Sequence, residues 1–238
     1  MAEIVDGENF DFNAYVEGHL AHYRDSFEQL VTMRGNIINE ISNDKALKPL
    51  VHSIRSRIKD ETHLADKLKR KYDKQRLIIP QGDLLKGVND IIGIRVLYLH
   101  RDQIRYIDSA LSAWADQGSY RIIEGPIAMV FDDETAGFFE NLGMKTERRT
   151  TLYTSVHYVL ESYHKKPYTF EIQARTLLEE EWGEIEHSIN YPVPTDSLAC
   201  SEQLKAFAHL TNGCVRLVGS IIRSHEDHKK SKESTPHA

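Results

Sequence analysis

Two periods run through this chain, and each change of period marks an element. From about residue 11 to 42, Tyr23, Phe27, Leu30, Ile37, Ile38 and Ile41 keep helical spacing among Glu17, Arg24, Asp25, Glu28 and Arg34, which predicts one long helix. Asn9 or Asp11 could cap its start, and Asn43–Asp44 ends it. Val51–Ile58, VHSIRSRI, reads as a short strand. A helix follows at roughly 60–74, with Leu64, Leu68 and Tyr72 on its apolar edge. Val88–Leu99 is almost wholly apolar and predicts a central strand buried on both faces. Residues ~101–115 form an amphipathic helix on Ile104, Ile107, Leu111 and Trp114, followed by strands near Tyr120–Ile123 and at Pro126–Val130. Phe131–Thr151 has no clear period and predicts a long mobile segment, with a short helix at Ala136–Leu142.

The second half repeats this logic. Leu152–Glu161 is a strand, and Lys165–Pro167 turns it into a hairpin with the next one. In Tyr168–Tyr191, Tyr168, Phe170, Ile172 and Ala174 alternate with Thr169, Glu171, Gln173 and Arg175. The period then switches to helical at Leu178, Trp182, Ile185 and Ile189, so a strand runs directly into a helix. A last helix at ~196–224 carries a stripe of Phe207, Leu210, Cys214, Leu217 and Ile221, which makes Cys214 a small core residue. The polar tail beyond Ser224 is expected to be disordered. Strands alternating with helices argue for an α/β (α+β) layer structure with long N- and C-terminal helices. The expected divisions are a helical extension over 1–48, a main domain over 49–192, a C-terminal helix over 193–224 and a tail over 225–238.

Composition narrows the classes. The net charge of −6 gives no global pull toward nucleic acid or membrane, so any phosphate-binding surface must be local. No apolar run approaches the roughly 18 residues that span a bilayer. The start, MAEIVDGENF, has no signal-peptide pattern, and two cysteines make no disulfide framework, so a cytoplasmic setting is expected. There is no Walker loop, no GxGxxG after a strand and no CxxC.

Several polar groups stand out from this pattern. Arg57, Lys59, His63, Lys67, Lys71 and Lys74 make the most basic region, which is either a solvated face or a site where cations converge on a polyphosphate. Asp90 and Arg95 interrupt an apolar strand. They form either a structural ion pair or two separate sites, and a spacing of five sends them to opposite faces unless Gly93 marks a bulge. Glu171, Gln173 and Arg175 line either a wet strand face or a cleft wall with Glu171 as base or metal ligand. Tyr153, Ser155 and His157 share a strand face suited to stacking and polar recognition, close to Glu171 across the hairpin. Lys145, Arg148 and Arg149 end the irregular segment as a candidate second phosphate contact.

RIKDETHLADKLKRK, DIIGIR, YTSVH, FEIQART and WGEIEH, in that order, resemble the synthetase domain of the RelA/SpoT family, and more closely its stand-alone small alarmone synthetases. The resemblance covers roughly residues 50–191. It implies a nucleotidyltransferase-like mixed sheet flanked by helices. It also implies Mg²⁺-dependent transfer of pyrophosphate from ATP to the 3′-hydroxyl of GTP or GDP, with release of AMP. Carried over, Arg57, Lys59 and Lys67 look like ATP contacts, and Arg95 resembles an arginine that stacks on adenine. Asp90 and Glu171 look like the magnesium ligands and catalytic pair. Tyr153 resembles the ring that stacks on guanine, with His157 and Arg148 or Arg149 near the GTP phosphates. Ser155, Gln173 and Arg175 stand behind them. The sequence departs from the family pattern at His63, at Leu152 and Thr154 around the tyrosine, and at Glu180. Toxin-like relatives imply an alternative acceptor, an adenine nucleotide or the tRNA 3′ end. A regulator without catalysis is the alternative of another class. No hydrolase domain is recognisable, no membrane or other nucleic-acid partner is expected, and the terminal helices leave room for homo-oligomer packing, as in tetrameric small relatives.

Overall fold

The structure is a computed structural model that describes residues 3–4, 10–75, 77–118, 120–165 and 167–233. Its elements run β1 (Glu3–Ile4), α1 (Phe12–Asn43), β2 (Ser53–Ile58), α2 (Glu61–Gln75), β3 (Leu77–Ile78), α3 (Leu84–Gly87), β4 (Ile92–Tyr98), α4 (Ile104–Asp116), β5 (Tyr120–Val130), α5 (Asp133–Glu140), β6 (Lys145–Arg148), β7 (Ser155–Ser162), β8 (Thr169–Thr176), α6 (Leu177–Asn190) and α7 (Leu198–Glu233). Short 3-10 turns precede α3 and α4. β1 and β3 form a small antiparallel ribbon. The other six strands form one mixed sheet in the order β2-β4-β8-β7-β5-β6, flanked by helices.

Side-chain alternation gives this sheet two unlike faces. Ile92, Ile94, Val96, Phe170, Ile172, Ala174, Val156, Tyr158, Leu160, Ala128 and Val130 fall on one face, and all are buried. They join one core with Leu30, Ile37 and Ile41 of α1, Leu64 and Leu68 of α2, and Ile107, Leu111 and Trp114 of α4. Each fully buried leucine or isoleucine contributes roughly 1.5–3 kcal/mol, so this face anchors the fold. The opposite face carries Arg55 and Arg57, Gly93 and Arg95, Glu171 and Gln173, and His157. They stand side by side because β2–β4, β4–β8 and β8–β7 pair in register.

Local chemistry sets the element ends. Asp11 caps α1 by accepting from the Ala14 amide at 3.0 Å, while Asn9 lies outside the described residues. Asp44 closes the helix, accepting from Ala46 and Leu47 amides and from Trp114 Nε1. Thr176 ends β8 and also caps α6, in a capping box with Glu179.

Several expectations are corrected. The strand expected from Val88 begins at Ile92, and Asp90 sits in the preceding turn. β4 is not buried on both faces, since Gly93 and Arg95 are half-buried. Gly93 is in regular register, so it marks no bulge. The two strands expected after α4 are one strand, irregular where cis Gly125–Pro126 shifts its register against β7. The segment 131–151 is mostly regular. Asp132 caps α5, and the helix returns the chain to β6, parallel to β5.

The stripes on the last two helices are also misjudged. α6 buries Glu179, Glu180 and Trp182, while Ile185 is exposed. α7 buries Leu204, Ala208, Thr211, Asn212 and Val215, and leaves Leu210, Leu217 and Ile221 exposed. Cys214 is therefore a free surface thiol rather than a core residue. Small residues permit close helix approach, and Asn212 bonds Arg101 and Asp132, so polar matching decides the buried face. The tail expected to be disordered is helical to Glu233, because extending a helix through Glu and Lys is far cheaper than nucleating one; 234–238 lie outside the described residues. No helix of the described residues is long and apolar enough to cross a membrane.

Candidate active site

Lys59 leaves the end of β2 and is almost fully buried. Its backbone is fixed by Ile91 O, which accepts from its amide at 2.8 Å, and by the Tyr23 hydroxyl, which donates to its carbonyl at 2.8 Å. Nearly two turns into α2, Lys67 approaches from the side. Lys59 Nζ at 3.0 Å and Lys67 Nζ at 3.3 Å both meet Asp90 Oδ2. Burial pushes the Asp90 carboxyl up, but the two ammonium charges outweigh it and hold it below the usual carboxylate range. Lys71 lies beside them, half-buried, donating to Gly87 O at 3.0 Å. Burial and Lys67 lower its pKa.

Glu171 stands on β8, register partner of Gly93 on one side and Val159 on the other. Its Oε1 lies 3.0 Å from His157 Nδ1, and Gln173 Nε2 donates to Oε2 at 2.6 Å. Burial raises its pKa, His157 and Gln173 bring it below the usual value, and the Asp90 charge pushes against them. The two acids are thus close enough to feel each other, though 81 positions separate them along the chain. Asp90 Oδ1 is buried without a hydrogen-bond partner, and so is His157 Nε2. Among the described residues no group of three or more His, Cys, Asp or Glu gathers as a metal cage. Two carboxylates and an orphaned acid oxygen fit Mg²⁺, which takes few protein ligands and completes its shell with water and phosphate oxygens.

Beside the acids a cavity of about 190 Å³ is bordered by Arg55, Arg57, Gly93, Arg95, Gln173 and Glu184. Asp90 and Arg95 do not pair with each other. Arg95 Nη1 bonds Glu180 Oε1 at 3.2 Å and also Glu184 Oε1. Burial acts to lower the Arg95 pKa, and the charge of Glu180 with the Glu184 bond raises it instead. Arg175 is fully covered. Its Nε lies 2.6 Å from Glu180 Oε2, an ion pair too poorly aligned for a hydrogen bond. The Tyr153 ring covers its guanidinium at 5.3 Å. A Cβ on Gly183 would stand 2.8 Å from Arg175 Nη1, so α6 needs glycine there to lie against it.

On the other side, Tyr153 precedes β7 rather than belonging to it, with its ring 6.0 Å from His157 and edge-on. Ser155 is buried and donates to Ala174 O at 3.4 Å, so it faces no open space. Arg149 lies against Met129 Sδ at 3.1 Å and pairs with Glu147. Arg148 pairs with Asp133 and shares the Val130 face, away from His157. The structure therefore brings together Arg57, Lys59, Lys67, Asp90, Arg95, Tyr153, His157, Glu171, Gln173 and Arg175, but not Arg148 or Ser155. His63 bonds Asp60 and the Tyr191 hydroxyl, tying the start of α2 to the chain beyond α6. Arg55 and Glu184 are the additions. Arg55 shares a strand face with Arg57 by period two, and Glu184 a helix face with Glu180 at i+4.

No curated protein matches the chain by sequence. Solved structures share its fold. Small alarmone synthetase 1 from Bacillus subtilis, bound to its product pppGpp, superposes with a TM-score of 0.58 at 21% identity, over 87% of this chain and 96% of that one. A GTP pyrophosphokinase family protein from Streptococcus pneumoniae gives 0.57 at 19%, over 93% and 97%. The Bacillus subtilis enzyme bound to AMPCPP gives 0.54 at 21%, over 89% and 97%. Residues 56–196 match the region found in RelA and SpoT proteins, and since that is more than half of the chain, this protein belongs to the RelA/SpoT family.

Proposed function

We propose that this protein is a Mg²⁺-dependent (p)ppGpp synthetase that moves the β,γ-pyrophosphate of ATP to the 3′-hydroxyl of GTP or GDP and releases AMP. The observation that carries the reading is geometric: Asp90, held by Lys59 and Lys67 with its Oδ1 unpartnered, and Glu171, in register with Gly93 at the border of an arginine-lined cavity and bonded to His157. Lys59 and Lys67, now on Asp90, are placed to take triphosphate oxygens, with Arg57 beside them. Arg95 offers a flat surface to the adenine. Tyr153 offers its ring to the guanine, and Arg149, on the same segment, is the basic residue we assign to the acceptor's phosphates. Asp90 and Glu171 would hold Mg²⁺, which when bound would neutralise charge on the triphosphate. The 3′-oxygen bonds to the β-phosphorus as the bridge to AMP breaks, and the hydroxyl proton passes to Glu171. Positioning and electrostatics then supply most of the acceleration.

The test is incubation with ATP, GTP or GDP and Mg²⁺. The expected products are AMP and a guanosine nucleotide carrying a 3′-pyrophosphate. Labelling of tRNA or of adenine nucleotides alone would move the acceptor elsewhere, and no product with any acceptor would leave a nucleotide-binding regulator.

A further inference from the structure

Tyr153 is held from behind as well as from the cleft. Its ring meets Arg175, His157 and Gln173 on the polar side of the sheet. Its two neighbours meet other elements. Leu152 and Thr154 both border a cavity of about 10 Å³, which Trp182 of α6 and Ala208 and Thr211 of α7 also border. Leu152 borders a second cavity too, of about 230 Å³, again with Trp182 and now with Leu204 of α7. Thr154 is only 5% exposed, and its Oγ1 has no hydrogen-bond partner among the described residues. An unpartnered buried hydroxyl is unfavourable, so the packing around it must hold it there.

The helix between cleft and seam has two stripes. Glu180 and Glu184 of α6 meet the cleft arginine Arg95. Glu179, Trp182 and Glu186, at i, i+3 and i+7, border the two cavities instead. The seam itself is fixed. Trp182 Nε1 donates to Leu204 O at 3.3 Å, and Arg101 Nη2 donates to both Glu179 Oε1 and Asn212 Oδ1 at 2.8 Å. All five of these residues are buried. Polar bonds in such surroundings specify one arrangement, so α7 cannot slide along α6 without breaking them.

We propose that α7 belongs to the acceptor machinery: Leu152 and Thr154 are positioning residues, seated in the α6–α7 seam on Trp182, Leu204 and Ala208, and this seat sets the place of the Tyr153 ring. The inference deepens the proposed function and rests on its assignment of Tyr153 to the acceptor base. It also gives a reason for a leucine at position 152, where the left-handed backbone would suit glycine better: the side chain is what the seam grips.

The experiment reads GDP binding by calorimetry with Mg²⁺ and a saturating non-hydrolysable ATP analogue, so that no transfer occurs, and reads binding of the analogue alone beside it. Leu204→Ala removes packing next to Leu152, and Ala208→Val crowds the space next to Thr154. Each is expected to weaken GDP binding several-fold and to leave analogue binding unchanged, whereas a general loss of folding lowers both. If Leu204→Ala melts below the assay temperature, Ala208→Val decides. Both substitutions are then repeated in a Tyr153→Ala background. A seat that acts through the ring has nothing left to place there, so its effect on GDP should vanish. Equal losses for GDP and the analogue, unchanged GDP binding in the folded variants, or a loss that persists in full without the Tyr153 ring would overturn the proposal. A native protein that binds no GDP under these conditions refutes the acceptor reading and this inference with it. Native GDP binding with an unresponsive seam refutes this inference alone.

Discussion

The two sides of the cleft are built differently. The proposed donor side stands on β2, β4 and the first turns of α2, where strand register and helix spacing fix each cation. The proposed acceptor side hangs from Thr150–Thr154, a stretch without regular structure between β6 and β7. There Leu152 takes a left-handed φ of 46°, strained for a leucine, and borders the same cavity as Trp182 and Leu204. A register holds several side chains at once, so loss of one leaves its neighbours in place. A loop holds Tyr153 through its own backbone and through side-chain contacts to Arg175, His157 and Gln173.

If this contrast is right, substitutions should sort by substrate. The largest effect falls between the sides: Glu171→Gln removes the proposed base and one cation ligand, and kcat should drop about a thousandfold while the melting temperature holds. Measurable turnover near the native rate would remove Glu171 from the chemistry. Next, Arg57→Ala is expected to raise the KM for ATP on the order of tenfold or more, the scale of a charged hydrogen bond, and to leave the KM for GTP unchanged. Tyr153→Ala should do the reverse, raising the KM for GTP on the order of tenfold through loss of stacking. A parallel rise in both constants in either variant would break the comparison.

Smaller effects sharpen it. Leu152→Gly relieves backbone strain of about 1–2 kcal/mol but gives up a leucine of similar worth in packing, so stability should change little. The freed loop should still raise the KM for GTP a few-fold, as steady-state kinetics would show. Asp44, remote from both sides, supplies a control. Burial raises its pKa, but the Trp114 bond and the Leu47 and Ala46 amides bring it below the ordinary 3.8. A depressed folded value means that its contribution is present above pH ~4 and lost as pH falls through that value. Thermal melts should show a small acid-side loss that Asp44→Asn flattens, with no change in kinetics at neutral pH.

The same physics explains what could be read in advance. Where one sheet face is buried and the other is not, period two reveals both, and the shared face of Glu171 and Gln173 and the place of His157 followed from alternation, whereas Arg57 stood out only as part of a basic cluster. The basic region reads equally as a solvated face or a phosphate site, and no local window shows that Lys59 and Lys67 converge on Asp90. Helical faces were harder. On α7 two stripes compete, and the larger apolar residues, Leu210, Leu217 and Ile221, stay outside because Asn212 is needed against Arg101, Thr135 and Asp132. On α6 the acids are inside because arginines wait there, a match between distant segments that no local window contains. Phe131–Thr151 looked aperiodic because an eight-residue helix and a four-residue edge strand are too short to establish a period.

Thr176 belongs to β8 and to α6 at once, with no loop between them. Glu171 and the acids that steady the arginines are consequently mounted on a single stiff piece of backbone. Whatever opening and closing accompanies turnover has no joint to use at that corner. If nucleotides bind as proposed, they meet at that corner a wall that holds its shape.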